Sequence, residues 1–278
     1  MSYKIIVDSC CELPEEYMND FRFERVPLGL EIGDYYILDD DNFEQTDFLK
    51  RVAEYPGYAK SSCPSPERYM NAYNVDAENI YVVTLSSKLS GSYNSAQLGK
   101  NLFIENYGEK NIYVVDSESA SCGEMQIALK LMEYEEAGFS FEEIIEKIEK
   151  FRDEINTYFV LDNLETLRKN GRLTGVKAMV ATTLNIKPVM GADKGTIIQK
   201  FQTIGIKKAL TKMADTVVAE VKDARDKVLS ISHCNCPERA EAVKNMILAK
   251  AEFKKVIIVN TRGVSSLYAN DGGIIVVA

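Results

Sequence analysis

The sequence contains a single histidine and no apolar run as long as a membrane-spanning helix. A Ser-His-Asp hydrolase would have to use His233 as its base, but the chain has no Gly-x-Ser-x-Gly turn to present a serine. Residues 1–4 lead directly into a strand pattern, without the apolar segment of a signal peptide. We therefore expect no serine hydrolysis, no membrane-spanning segment and a location in the cytoplasm.

Clusters of basic residues are also missing. The formal net charge is −9 and the lysines are scattered, whereas nucleic-acid binding needs clustered Lys and Arg to neutralise phosphates. Hydrophobic residues make up 46% and charged residues 27% of the chain, which is typical of a globular protein. Since 278 residues exceed the usual size of one domain, we expect two, residues 1–155 and residues 156–278.

Cysteine is too sparse for a disulfide framework. Six cysteines in a chain of this length do not resemble a short secreted scaffold, so we expect reduced thiols. His233, Cys234 and Cys236 could supply three zinc ligands, but their spacing differs from that of zinc fingers and no second pair completes the site. The sequence predicts neither a bound metal nor a cofactor.

The first half repeats a pattern of strand, polar turn and helix. Parallel strands joined in this way place their carboxyl ends along one edge of a sheet, where open α/β folds bind ligands. Asp8 and Asp116 end two of these strands and either face the crevice or cap the following helices. The three strand–helix pairs are Lys4–Asp8 with Leu13–Asp20, Ile80–Leu85 with the helix after Ser92, and Asn111–Asp116 with Gly123–Gly138.

The turn over residues 85–92 has the composition of an anion site. Serine hydroxyls and free backbone N–H groups come together at a helix N-terminus, with Gly91 where a side chain would block approach. The spacing matches neither the phosphate loop nor the dinucleotide turn, so a carboxylate is the favoured guest. Serines that only cap the helix are the alternative.

The second half predicts a mixed sheet with helices packed on it. A strand over residues 158–161 leads into a helix that ends at Gly171, and a further helix is predicted over Val176–Leu184. Residues 193–195 join two strands, Ile186–Gly191 and Thr196–Phe201, as a hairpin. The other elements are helices bearing the apolar stripes of residues 210–221 and 240–251, and strands Lys227–Ser232, Lys255–Thr261 and Ile274–Ala278.

Two further loops resemble ligand loops. Prolines fix the segment Lys60–Pro66, which displays several hydroxyls on a rigid backbone. The segment Arg168–Leu173 places Arg172 just beyond a helix end, where its guanidinium either contacts a carboxylate or lies in water.

Together these motifs resemble, in the same order and over nearly the whole chain, those of the DegV family. The matching segments are Asp8-Ser9 with Glu12-Leu13-Pro14, Ser61-Ser62-Cys63-Pro64-Ser65-Pro66, the turn from Leu85 to Ala96, Val115-Asp116-Ser117 with Ser119-Ala120-Ser121, and Leu164, Leu167, Gly171 and Arg172. The resemblance implies an α/β protein of two domains, a mostly parallel sheet flanked by helices and a mixed sheet with helices, with a ligand between them. It also implies a bacterial protein that binds a long-chain fatty acid and presents it to a separate fatty acid kinase catalytic subunit, which forms the acyl phosphate; such proteins bind without catalysing.

The resemblance also assigns the carboxylate contacts. It implies Ser90 and the Gly91 amide as direct contacts, Ser61 in place of the family's threonine, and Arg172 as the supporting cation. Tyr268 stands where family members have a histidine, and a phenol stays neutral and donates one hydrogen bond.

Two alternatives stay open at this point. The change from histidine to Tyr268 suits a different amphipathic lipid, and the nearby Asp271 would disfavour a carboxylate if it faced the pocket. A hydrolase or acyl-transfer enzyme would need Cys63, Cys122 or Ser90 as an activated nucleophile, without a base in the same motif.

Overall fold

The computed structural model describes residues 2–174 and 185–278. The first half contains β1 (Tyr3–Asp8), β2 (Phe23–Val26), β3 (Gly29–Ile32), β4 (Tyr35–Leu38), α1 (Gln45–Glu54), β5 (Lys60–Ser62), α2 (Pro66–Ala72), β6 (Asn79–Thr84), α3 (Ser92–Tyr107), β7 (Asn111–Asp116), α4 (Cys122–Glu136) and α5 (Phe141–Glu154). The second half contains β8 (Thr157–Val160), α6 (Glu165–Lys169), β9 (Ile186–Asp193), β10 (Thr196–Ile204), α7 (Ile206–Glu220), β11 (Val228–His233), α8 (Pro237–Leu248), β12 (Lys255–Asn260), α9 (Gly263–Ala269) and β13 (Ile274–Val277).

The first sheet is parallel, with the strand order β2-β1-β6-β7. Helices cover both of its faces, which explains why every residue of β6 is buried. Tyr81 and Val83 pack towards α4 and α5, whereas Ile80 and Val82 pack towards α2 and α3. The prediction of three parallel neighbours ending at one sheet edge is confirmed.

The predicted helix over Leu13–Asp20 is wrong, because the structure has only a single 3-10 turn at Glu15–Tyr17. The chain must run back alongside β1 to start the parallel strand β2 at Phe23. A strand of six residues extends about 20 Å at roughly 3.3 Å per residue. A helix rises only about 1.5 Å per residue, so a mostly extended connection covers this distance better than eight helical residues.

A small antiparallel sheet in the order β4-β3-β5 was not predicted. Its central strand buries Leu30 against Phe48 of α1 and Val264 of α9. This packing brings β5, which carries Ser61, next to the short helix α9, which carries Tyr268. The N-terminal part of the chain thus reaches its C-terminal part at the position of two predicted site residues.

The second large sheet is mixed, as predicted, in the order β10-β9-β8-β13-β11-β12. The pair β11 and β12 is parallel and the other pairs are antiparallel. The hairpin between β9 and β10 is confirmed, and its turn residues Lys194 and Gly195 both have positive φ, as a tight hairpin turn requires. The predicted stripes on α7 and α8 pack into one core beneath this sheet. The predicted helix over residues 176–184 lies outside the described residues.

Helix α4 packs between the two large sheets, and its Gln126 joins the helix to the mixed sheet. The Gln126 side-chain amide lies 3.0 Å from the carbonyl oxygens of Val228 and Val277 and from Ser230 Oγ. The domain boundary at residue 155 stays a prediction. Within the described residues, no helix is long and apolar enough to cross a membrane.

Candidate functional site

A cavity lies between the two large sheets and draws its walls from both halves of the chain. The space between its walls that is free of protein atoms is about 810 Å³, open solvent included. Most of its walls are apolar. The lining residues are Cys10, Ser61, Leu85, Leu89, Ser90, Glu118, Ser119, Ala120, Thr157, Phe159, Leu161, Leu167, Arg172, Ala192, Gly195, Ile197, Val264, Ser265, Tyr268, Ala269 and Ile275.

The cavity runs along one face of β8. Thr157, Phe159 and Leu161 alternate along the chain and all line it, while Tyr158 and Val160 face the opposite core. From Thr157 to Leu161 the backbone advances about 13 Å at roughly 3.3 Å per residue. We call the end near Leu161, α6 and Arg172 the mouth, and the end near Thr157 and the β9–β10 hairpin the tail end.

At the mouth, Ser61 and Tyr268 face each other. Their hydroxyl oxygens are 2.9 Å apart, although the residues are far apart in sequence. The Asn170 side-chain amide donates to the Ala59 carbonyl at 3.0 Å, which ties the loop carrying Arg172 to the strand carrying Ser61. Ser61, Tyr268, Ser90 and Arg172 all line the cavity.

Ser90 and Gly91 lie at the start of α3. Ser90 Oγ is 3.0 Å from Ser92 Oγ and accepts a hydrogen bond from the Ser92 backbone N–H at 3.2 Å. Gly91 is the N-cap residue, and its N–H has no acceptor within residues 2–174 and 185–278. A Cβ on Gly91 would lie 3.0 Å from Cys63 Sγ, so glycine leaves this approach open. Unlike Ser90, Gly91 is not a wall residue of the cavity.

Arg172 brings a positive charge to the mouth. Its Nε donates to the Leu89 carbonyl at 3.1 Å, and Nη1 donates to the Asn170 carbonyl. These bonds fix the guanidinium without neutralising it, because no acidic side chain pairs with Arg172 in the part of the chain that the structure describes. A carboxylate at the mouth would meet an orientated cation.

Asp8 and Asp116 form hydrogen bonds with loop backbone groups and do not contact the cavity. Asp8 accepts hydrogen bonds from the backbone N–H groups of Cys10 at 3.0 Å and Leu85 at 2.8 Å. Asp116 accepts from those of Ser87 at 3.0 Å and Glu118 at 3.2 Å. Neither aspartate lines the cavity. Both sequence interpretations are therefore wrong: these carboxyl groups neither line the cavity nor cap the following helices, and instead organise the loops at the sheet edge.

A pair of buried carboxyl groups lies behind these loops. Asp8 and Glu124 are fully buried, and burial raises the pKa of Asp8 to about 6 against the opposing effect of the hydrogen bonds from Leu85 and Cys10. Burial also raises the pKa of Glu124 well above its usual range, and the nearby Asp8 charge adds to this effect. Both Glu124 carboxyl oxygens lack a hydrogen-bond partner among the described residues.

The cavity wall does not include His233, Cys234, Cys236 or Cys122. His233 Nδ1 accepts a hydrogen bond from the Cys236 backbone N–H at 3.3 Å, and burial lowers the pKa of His233. Burial raises the pKa of Cys122 to about 12, which suppresses its thiolate. No three His, Cys, Asp or Glu side chains in residues 2–174 and 185–278 are grouped to hold a metal ion.

Asp271 is exposed and turned towards another part of the surface. Its carboxylate accepts a hydrogen bond from the Asn235 side-chain amide at 3.0 Å, and it is not a wall residue of the cavity. The negative charge that the sequence places near Tyr268 therefore does not face a ligand at the mouth.

The apolar wall was not identified from the sequence. Phe159, Ile197 and Ile275 come from three different strands of the mixed sheet, and Leu161 directly follows β8. The alternation within residues 157–161 is a detectable signal for a strand with two apolar faces. Such a pattern does not separate a face that lines a cavity from a face that packs in a core.

The chain matches known proteins along almost its whole length. A family model described as "Uncharacterised protein, DegV family" matches residues 2–278. A DegV domain-containing protein of Streptococcus pyogenes serotype M1 is 35% identical over 279 residues, covering 99% of this chain and 98% of the relative.

Two solved structures share the fold. A DegV family protein from Ruminococcus gnavus, refined with vaccenic acid, has a TM-score of 0.98 at 57% identity, with 100% of both chains covered. The Streptococcus pneumoniae Fatty Acid Kinase (Fak) B3 protein, loaded with linoleic acid, has a TM-score of 0.88 at 30% identity, covering 100% of this chain and 99% of that chain.

Proposed function

Because the chain belongs to the DegV family, we propose that it binds a long-chain fatty acid, with the acyl chain in the cavity and the carboxylate at the mouth. The distribution of polarity along the cavity is the observation that carries this proposal. Hydroxyls and an orientated guanidinium lie at the mouth, and apolar side chains line the walls beyond it. Burial of an alkyl chain contributes about 0.8 kcal/mol per methylene, so few polar contacts are needed for tight binding.

We assign the carboxylate contacts to Ser90, the Gly91 N–H and Arg172, with Ser61 and Tyr268 completing the mouth. The Ser61–Tyr268 pair contains two hydroxyl protons, of which one is used in the bond between the pair. The second proton is then free to donate to the ligand. Tyr268 thus supplies a neutral donor, and Arg172 supplies the charge.

The function extends to a second protein, a fatty acid kinase catalytic subunit. The Streptococcus pneumoniae relative is a Fatty Acid Kinase (Fak) B3 protein, and this similarity supports a kinase partner. In such a complex a carboxylate oxygen would bond to the terminal phosphorus of a nucleoside triphosphate held by the kinase, and the nucleoside diphosphate would leave. The chain itself would bind and present without catalysing, in the cytoplasm and without a cofactor.

Native mass spectrometry of the freshly purified protein, followed by extraction and identification of its ligand, tests acid binding. The proposal predicts a long-chain fatty acid at one per chain. A non-acid lipid would instead favour the alternative in which Tyr268 selects another amphipathic head group. An empty protein that does not take up added oleic acid would contradict both.

The kinase role needs a separate experiment. The loaded protein is mixed with a fatty acid kinase catalytic subunit and ATP, and acyl phosphate is trapped as the hydroxamate. Formation of hydroxamate from the bound acid supports presentation. Binding of the acid without any hydroxamate would restrict the function to carriage.

A further inference from the structure

The tip of the β9–β10 hairpin, residues 193–195, closes the tail end of the cavity. A Cβ added to Gly195 would lie 2.3 Å from Ser86 Oγ and 3.2 Å from Glu118 Cα, so the tip sits directly on the loops of the first half. Gly195 also has a φ of +78°, which glycine adopts without strain. Small or short side chains form the wall at this point: Ser119, Thr157, Ala192 and Gly195.

A second, polar depression lies directly behind this wall, with about 520 Å³ of space free of protein atoms, open solvent included. It shares Glu118, Ser119, Thr157 and Ala192 with the cavity, so these residues have one side towards each space. The barrier between the apolar cavity and the polar depression is therefore a single layer of residues.

Polar contacts hold the hairpin tip against the first half. Ser86 Oγ donates to the Gly195 carbonyl at 3.1 Å. Lys194 Nζ lies 3.3 Å from Asp153 Oδ1 and 3.9 Å from Glu118 Oε2. These ion pairs are exposed and contribute little each, so the buried hydrogen bond from Ser86 to the Gly195 carbonyl is the main polar contact of the tip.

We propose that this hairpin tip, together with Ala192, is the stop that sets the longest acyl chain the cavity binds. The proposal rests on the proposed function, because it takes the carboxylate to lie at the mouth and the terminal methyl to point towards Thr157. Each methylene buried before the stop improves affinity about fourfold. A longer chain must fold back or displace the tip from Ser86, so further methylenes bring no gain.

The test is the affinity of the delipidated full chain for a series of saturated acids of increasing length, measured by calorimetry. Wild type should gain about fourfold per methylene up to a break, after which affinity stays level or falls. Ala192→Phe should move the break to acids about two carbons shorter, because the ring fills the tail end. Ala219→Phe, at an exposed position of α7, is the matched control and should leave the break in place.

The double variant Ser86→Ala/Lys194→Ala tests the opposite direction. It removes the Ser86 hydrogen bond and the Lys194 ion pairs of the tip and should move the break to longer acids, so the proposal does not depend on the folding of Ala192→Phe. Binding with the break unchanged in both variants would overturn the stop while leaving the proposed function intact. Absence of binding by wild type to every acid in the series would overturn the proposed function and, with it, the stop.

Discussion

The substitution Glu124→Gln should remove a pH-dependent loss of folding stability that arises from the buried carboxyl group of Glu124. Glu124 is fully buried on α4, and neither of its carboxyl oxygens has a hydrogen-bond partner among the described residues. Burial raises its pKa well above the ordinary value of 4.5, and the charges of Asp8 and Glu12 raise it further. The folded protein therefore keeps a proton on Glu124 at pH values where the unfolded chain has released it.

The size of the effect follows from proton linkage. Because the folded pKa is raised, the stability associated with Glu124 is complete below pH 4.5 and is lost as the pH rises towards the folded pKa. Each bound proton makes the slope about 1.4 kcal/mol per pH unit. As the pH rises above 5 towards the raised pKa of Glu124, the wild type should lose stability relative to Glu124→Gln at up to this slope, because the amide of the variant carries no titratable proton. The amide can also donate to Asp8.

Urea denaturation of both proteins at pH 5, 6 and 7 measures this difference. We expect the variant to gain stability over wild type steadily across this range, with equal m-values. Glu142→Gln, at an exposed position of α5, controls for the loss of one surface charge. If the difference between wild type and Glu124→Gln were the same at pH 5 and pH 7, the argument that Glu124 is buried with its proton would be wrong.

Three further predictions concern the mouth and the hairpin. Arg172→Ala and Ser90→Ala should each weaken fatty-acid binding by about 1–3 kcal/mol in calorimetry. Lys169→Ala, at an exposed position, is the control and should leave binding unchanged. Full affinity in both mouth variants would show that Arg172 and Ser90 do not contact the carboxylate. Tyr268→Phe should cost about 0.5–1.5 kcal/mol of binding free energy with little change in the melting temperature, and tighter binding would show that the hydroxyl is not a donor to the ligand. Gly195→Ala should lower the free energy of unfolding by about 1–2 kcal/mol, because residue 195 has a positive φ. Thermal denaturation measures this loss. An unchanged stability would contradict the geometry of the hairpin tip.

Local patterns predicted much of the fold. The parallel neighbours β1, β6 and β7 and the hairpin of β9 and β10 follow from apolar runs and turn residues that lie close together in sequence. The small sheet does not follow from local patterns, because β5 pairs with β3 across an intervening helix. Only tertiary packing brings Ser61 to Tyr268. The helix predicted over residues 13–20 was wrong for a related reason. The chain has to span the distance back to the start of β2, and this requirement overrode a local helical pattern.

Some residues of the site could also be predicted from the sequence, and others could not. Hydroxyls in a Ser-rich turn and a guanidinium after a helix are recognisable by type and spacing, so Ser90 and Arg172 were identifiable candidates. The role of Asp8 was not identifiable, because the sequence predicted either a ligand contact or a helix cap, whereas its carboxylate accepts from the loop amides of Cys10 and Leu85. The stop at the tail end depends on the contact between Gly195 and Ser86, which lie in two separate turns far apart in sequence, and neither turn predicts that they meet.

The central claim is that the cavity holds an acyl chain with its carboxylate at the mouth. A crystal structure of the protein with a fatty acid that carries bromine on its terminal carbon tests this most directly, because anomalous scattering locates the bromine independently of the rest of the ligand. We predict the bromine beside Thr157 and Ala192, and the carboxylate within hydrogen-bond distance of Ser90 or Arg172. Bromine at the mouth, or an acid bound outside the cavity, would contradict the account.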